Sequence, residues 1–294
     1  MDIRAYAKIN LILDVVRKRA DGYHDLRMVM QMTGMYDLLR IEPKSEPGIE
    51  LTTNLPYLPT DGRNLAVRAA GLLMETCGVT DGLSIRLHKF IPVAAGLAGG
   101  SSDAAAVLTG VNRVLRLGLS EEKLLKLGLS VGADVPFCLL GGTALAEGVG
   151  ERLTPLPPLP NCSILLAKPP FGVSTKEIFQ TLRADEIESH PDVDGMVTAI
   201  RRGDLPGILS RSANVLESVT LAKRPEIQEL KDCIAAAGAE TVLMSGSGPT
   251  VFGIFTDQKK ALACRDELRT DHPEIHSFLT VPVRDGALSL GAAG

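Results

Sequence analysis

The run PVAAGLAGGSSDAAAVL, Pro92 to Leu108, decides how the chain is read. Just before it, Leu83, Ile85 and Leu87 alternate with Ser84, Arg86 and His88, the period of a half-buried strand. Just after its glycines, Ala104, Leu108, Val111 and Leu115 recur at helical spacing, and Gly118 lies past the end. The pattern predicts a strand, a Gly- and Ala-rich loop, and a helix over Ser102 to Leu117. Such a junction suits an anion, because small residues let the backbone approach it and the first helical amides have no partner inside the helix. Ser101 and Ser102 can offer hydroxyls to phosphate or to Mg²⁺. The competing reading is a plain glycine-rich turn with Ser101 or Ser102 as the N-cap. No GK[ST] and no GxGxxG occurs, which excludes a Walker loop and leaves a dinucleotide fold unsupported.

Three further segments carry chemistry-bearing residues. In AKINLILDVVRKRADGYHDL, Ala7 to Leu26, Lys8 and Asn10 interrupt an apolar strand predicted over Ile3 to Val16. A lysine on a buried face needs a polar or charged partner. Tyr23 and His24 follow the turn signal Asp21-Gly22; they can stack on a flat ring, or form a surface pair on a hairpin. In VGADVPFCLLGG, Val131 to Gly142, Asp134 stands in an apolar run. It either partners a cation, for which Lys8 is the candidate, or caps a helix. In MSGSGPTVFGIF, Met244 to Phe255, the Ser-Gly-Ser-Gly turn either closes on a phosphate or joins two buried strands as a tight hairpin. GLSVG, Gly128 to Gly132, has the letters of a nucleophile elbow but follows a helical run, so it is read as a helix stop with Ser130 in a loop.

Around these segments the chain looks like an ordinary globular protein of 294 residues with a formal net charge of −4. Its 29 glycines, about one residue in ten, exceed the usual share of roughly 7% and fall in groups rather than at a fixed period. Five widely spaced cysteines, Cys77, Cys138, Cys162, Cys233 and Cys264, exclude a disulfide framework or a CxxC zinc site. There is no run long enough for a membrane helix and no leader-like start, so the expected compartment is the cytoplasm. The acidic balance argues against a nucleic-acid partner. The proline run LTPLPPLP, Leu153 to Pro160, reads as an extended connector, dividing the chain into domains over 1–152 and 153–294. Further elements are a helix over Asn64 to Cys77 stopped by Gly78, strands over Asp37 to Ile41 and Cys162 to Ala167, a helix capped by Ser174, and a helix from Pro225 to Gly238. Strands and helices without regular βαβ alternation indicate an α+β fold. The tail from Arg284 is small in composition and expected to fray.

Together the four motifs resemble the superfamily of galactokinase, homoserine kinase, mevalonate kinase and phosphomevalonate kinase. The run AKINLILDV…DGYHDL is similar to the branch that phosphorylates a cytidine-diphosphate-linked polyol. The resemblance implies an N-terminal domain like ribosomal protein S5 domain 2, a C-terminal α+β domain, and a cleft between them. It implies Asp134 as the catalytic carboxylate and Lys8 as its cationic partner. Pro92, Val93, Ala94, Ala95, Gly96, Leu97, Ala98, Gly99, Gly100, Ser101 and Ser102 would hold the phosphates of ATP, with Ser102 a candidate for Mg²⁺. Asn64 and Leu65 would lie at the adenine end. Asn10 would lie near the reacting hydroxyl. Tyr23, His24 and Phe179 would hold the cytosine, with Phe179 on the opposite ring face. Gly96, Gly99, Gly100, Gly141, Gly142, Gly246 and Gly248 are expected in or beside the cleft. Ala94, Ala95 and Ala98 stand where the family commonly has glycine, so a positive φ at any of them would be strained. The partner implied is a small molecule, acted on by a monomer or a homodimer. The alternatives are a kinase of the same superfamily acting on mevalonate or homoserine, and a non-catalytic ligand sensor on this fold.

Overall fold

The computed structural model describes residues 1–288. Two sheets organise it. The first holds β1 (Asp2–Lys18), β2 (His24–Lys44), β3 (Gly48–Thr53), β4 (Gly82–His88), β5 (Thr143–Gly148) and β6 (Arg152–Leu156). Its helices are α1 (Leu65–Cys77), α2 (Gly99–Val114), α3 (Glu121–Val131) and α4 (Val135–Leu140). The second sheet has the order β11-β7-β10-β9, all antiparallel, from β7 (Ser163–Lys168), β9 (Thr241–Met244), β10 (Val251–Phe255) and β11 (His276–Thr280). Around it lie α5 (Thr175–Thr181), α6 (Val193–Arg202), α7 (Leu205–Leu209), α8 (Glu217–Lys223), α9 (Glu226–Ala236) and α10 (Gln258–Asp271). The short β8 (Ala213–Asn214) leaves this second group and pairs in parallel with Ile12 and Leu13 of β1.

β1 explains how an apolar strand carries polar groups into a site. Its pairing with β2 slips between Tyr6 and Lys8 and again between Asn10 and Ile12. Each slip turns the following side chains to the other face. Ile3 and Ala5 therefore belong to the core between the first sheet and its helices, Ala7, Ile9 and Leu11 to a second core shared with Ile164 and Phe252, and Leu13 and Val15 to the first again. Between the two slips Lys8 and Asn10 face away from that second core, into the cleft.

Most predicted elements form, with shifts that have local causes. Asn64 caps α1, accepting from the Ala66 amide, and Gly78 ends it at φ 65°. Ser174 caps α5 by accepting from the Glu177 amide. α2 begins at Gly99 rather than Ser102, because the chain enters the helix through a left-handed residue, Ala98, instead of a serine cap. Ser130 is not in a loop: α3 runs through it to Val131, and its hydroxyl donates to the Leu127 carbonyl. Leu153 to Leu156, read as connector, form the paired edge strand β6. The segment from Arg284 to Leu288 does not fray. The amides of Ala287 and Leu288 donate to the carbonyls of Cys138 and Leu139 in α4. The rest of that tail, 289–294, lies outside the described residues. Gly141 and Gly142 pack against it rather than against the cleft: a Cβ on Gly141 would collide with the Gly286 backbone.

Candidate active site

A cleft of about 900 Å³ lies between the two groups of elements. Of the residues singled out in the sequence, Lys8, Asn10, Tyr23, His24, Asn64, Leu65, Pro92 through Ser101, Asp134 and Phe179 all line it, as do Gly246 and Ser247. Ser102 does not line it. Its buried hydroxyl donates to the Tyr6 carbonyl at 2.6 Å, which ties α2 to β1 and corrects the expectation that Ser102 meets a metal.

The loop from Pro92 to Ala98 is held in shape by burial of Ala95 and Leu97 beside Ile91 in the second core. The residues between them are free to face the cleft. Ala94 and Ala98 take φ values of 52° and 56°. A side chain in the left-handed region costs on the order of 1 kcal/mol or more per residue, so the surroundings must impose the shape. They do so from the other sheet. Gly96, at φ 75°, presses on the turn between β9 and β10, and a Cβ there would collide with the Ser245 carbonyl. Ser245 Oγ donates to the Gly96 carbonyl at 3.0 Å. That turn is the tight hairpin of the two sequence readings. It is braced by Asn214 Nδ2, which donates at 2.8 Å to both the Met244 and Gly246 carbonyls, and by Thr175 Oγ1 against Ser247 Oγ. Beyond the loop, α2 starts without a side-chain cap. The amides of Gly99, Gly100 and Ser101 therefore point out of the helix with no carbonyl partner within it, a donor set that fits phosphate.

Lys8 Nζ donates to Asn10 Oδ1 at 2.7 Å and to the Gly96 carbonyl at 3.2 Å. Asn10 gives its amide to Met28 Sδ. Lys8 makes no ion pair with Asp134, contrary to the expected pairing. Its nearest oxygens come from its own strand and from the loop, and these occupy two of its three donors. Asp134 sits at the N-cap position of α4 but makes no capping bond. Among the described residues its carboxylate has no hydrogen-bond or ion-pair partner, and it borders the cleft.

At the other end, the β1–β2 turn presents Tyr23, 66% exposed, and buries His24. The His24 ring packs on Phe179 of α5 with centroids 5.3 Å apart and planes inclined 36°. The pair forms one edge of a slot in the cleft that the exposed Tyr23 borders as well. His24 Nε2 is buried with no hydrogen-bond partner among the described residues. Burial, and secondarily the Lys18 charge, pushes its pKa down, favouring neutral imidazole.

Sequence reasoning missed a buried ionic cluster beneath the loop. Lys89 Nζ contacts Asp37 Oδ2 and lies 2.7 Å from Asp103 Oδ2. Asp37 Oδ1 accepts from the Phe90 and Ile91 amides. The cluster thus pins the strand leading into the loop to the helix leading out. In the sequence Asp37 stands only at the start of a strand and Asp103 only within the Gly- and Ser-rich run. Two carboxylates share one ammonium, and burial, opposed by Lys89 and reinforced by Asp37, raises Asp103 from 3.8 to about 7. The folded chain therefore keeps a proton that the unfolded chain releases above about pH 4, and what this group contributes to folding stability is lost as pH rises from about 4 to about 7. Asp103→Asn should remove that contribution, so the stability of the variant relative to wild type should rise as pH rises through this window. Denaturant titrations of both proteins from pH 4 to 8 would show it. A difference between the two profiles that does not change with pH would mean the cluster holds no proton.

Comparison with known proteins places this geometry. A family profile described as GHMP kinases N terminal domain matches residues 64–142, and one described as GHMP kinases C terminal matches 196–274. The chain is 51% identical over 280 residues to a 4-diphosphocytidyl-2-C-methyl-D-erythritol kinase of Lachnoclostridium phytofermentans, covering 95% of this chain and 96% of that one. It is 51% identical over 267 residues to the protein of that name from a Geobacillus species, covering 91% and 92%. A crystal structure of 4-(cytidine 5′-diphospho)-2C-methyl-D-erythritol kinase superposes with a TM-score of 0.82 at 35% identity, over 96% of this chain and 99% of that one. Homoserine kinase from Cytophaga hutchinsonii shares the fold, with a TM-score of 0.74 at 21% identity over 96% and 95%. The chain therefore belongs to the GHMP kinases, two-domain α+β enzymes that phosphorylate small molecules with ATP, and within them to the family of 4-diphosphocytidyl-2-C-methyl-D-erythritol kinases.

Proposed function

We propose that this protein transfers the γ-phosphoryl group of ATP to the 2-hydroxyl of 4-diphosphocytidyl-2-C-methyl-D-erythritol, giving the 2-phosphate and ADP on the route to isoprenoid precursors. One observation carries the reading. A single cleft holds an uncommitted carboxylate and a lysine between a phosphate-fitting helix start and a slot with a buried, unpartnered imidazole nitrogen. The names and full-length coverage of the relatives supply the acceptor.

Phosphoryl transfer needs positioning and charge neutralisation more than covalent help. The loop from Pro92 and the amides of Gly99, Gly100 and Ser101 take the ATP phosphates, with Asn64 and Leu65 at the adenine end. The Asn64 side chain is committed to capping α1 and to the Pro59 carbonyl, so this end is shaped mainly by packing. Asp134 accepts or orients the acceptor hydroxyl proton. Lys8, with one donor left, stabilises the developing alkoxide, and Asn10 fixes Lys8. Tyr23, His24 and Phe179 receive the cytosine. The described residues contain no group of three His, Cys, Asp or Glu able to hold a metal. Mg²⁺ would therefore be held chiefly by ATP itself, with Ser101 and Asp134 as the oxygen donors of the cleft. When bound it neutralises phosphate charge. The division of the chain into two domains belongs to the same proposal, with the boundary in the prolines after β6 rather than at 152, as does a cytoplasmic site of action, which suits five unpaired thiols.

A coupled ADP-release assay tests the reading. Turnover with the cytidine-diphosphate acceptor and not with mevalonate or homoserine is expected. Turnover confined to another alcohol would move the protein elsewhere in the superfamily, and tight binding without turnover would make it a sensor.

A further inference from the structure

Two lysines at the base-binding end have no role in the reading above. Lys18 is the cross-strand partner of His24 in the β1–β2 pairing, and its charge reaches the His24 ring. Lys176 lies one helical turn before Phe179 on α5, so the two share a face. Phe179 packs on His24. This chain of neighbours puts both residues beside one slot, and both line the cleft.

Their surroundings are sorted by charge. Arg17 is paired with Asp25 at 2.6 Å, and Arg19 with Asp21 and Asp25 at 2.9 and 3.3 Å. Lys223 is paired with Glu177 at 2.6 Å. These pairs engage Asp21, Asp25 and Glu177, the nearby acids of the turn and of α5. Among the described residues, Lys18 and Lys176 have neither an ion pair nor a side-chain hydrogen bond. Two uncompensated cations beside a flat-ring slot match an anion attached to a base. The phosphate-fitting start of α2 is a separate element served by backbone amides, so the ATP chain does not call for these lysines.

We propose that Lys18 and Lys176 clamp the diphosphate of the acceptor from its two sides, making the cleft selective for a nucleoside diphosphate over a nucleoside or its monophosphate. The proposal rests on the acceptor reading of the preceding section. The clamp fixes the link between base and polyol, and so sets the distance from the slot to Asp134. Lysines act here as point charges rather than forks, so arginine is expected to substitute in part.

The test measures steady-state kinetics and the binding of cytidine, CMP and CDP by calorimetry. Lys18→Ala and Lys176→Ala should each raise the acceptor KM several-fold, and the double variant tens of fold. The KM for ATP and kcat should stay within about twofold. The wild type should bind CDP more tightly than CMP, and the double variant should bind them alike, with cytidine affinity unchanged. Lys18→Arg and Lys176→Arg should recover most of the acceptor KM. Raising salt should weaken CDP binding to the wild type more steeply than to the double variant. A double variant that keeps both its CDP preference and its acceptor KM, while the wild type turns over, overturns the clamp alone. A wild type that neither binds cytidine nucleotides nor turns over the acceptor overturns the acceptor reading, and the clamp with it.

Discussion

Asp134→Asn is expected to lower kcat by about two to four orders of magnitude, the range in which positioned proton-transfer groups contribute, while acceptor and ATP still bind within a few-fold of wild type. The amide is isosteric with the carboxylate. It cannot take a proton from the acceptor hydroxyl, but it can still fill the same space at the mouth of α4. The fold should tolerate the change, because the native side chain makes no capping bond there. Thermal unfolding should therefore move little, which separates a chemical loss from a structural one. Single-turnover measurements with both substrates saturating would place the loss in the transfer step. Near-wild-type turnover would mean that no carboxylate is needed at this position, and the assignment of Asp134 would fall.

Lys8→Ala is expected to lower kcat by two to three orders of magnitude, comparable to the removal of one preorganised donor from a developing oxyanion. The KM for ATP should change far less. The reason lies in how Lys8 is held. Its bond to the Gly96 carbonyl is duplicated by Ser245 Oγ, so the phosphate loop keeps a donor at that carbonyl when the lysine is lost. Asn10 Oδ1, by contrast, loses its donor, and the reacting end of the cleft loses its cation. Lys8→Met, which retains most of the apolar stem, controls for packing. An effect confined to the KM for ATP would transfer Lys8 to the nucleotide side.

Much of the fold was legible because its signals are local. The strand before Pro92, the helix after it, the capping box at Ser174 and the αL stop at Gly78 each lie within a few residues. The cleft residues were legible as polar interruptions, Lys8 and Asn10 in a strand and Asp134 before Pro136. What the sequence hid depends on contacts between distant segments. The slips in β1 are invisible because Ala7, Ile9, Leu11, Leu13 and Val15 are apolar whichever core they enter. The Lys89 cluster joins residues 14 and 52 positions apart. The left-handed alanines follow from the pressure of the β9–β10 turn on Gly96, which no local pattern encodes. The pairing of His24 with Phe179 likewise needed the approach of α5.

The path of the chain between the sheets has a consequence for motion. Strand by strand, it passes from one sheet to the other after β6, back to β8, across again to β9, and finally back beside β2, where Pro282 bridges Thr33. A cleft whose walls were joined by one tether could swing open about it. Here the walls are laced together at several points, and Asn214 and the Gly96–Ser245 contact sit in the seam. A hinge between the walls would have to bend all of these connections together, which favours small, concerted movement over a wide swing. Weakening one lace, as Asn214→Ala would by freeing the Met244 and Gly246 carbonyls, is then expected to loosen the cleft as a whole rather than one wall of it.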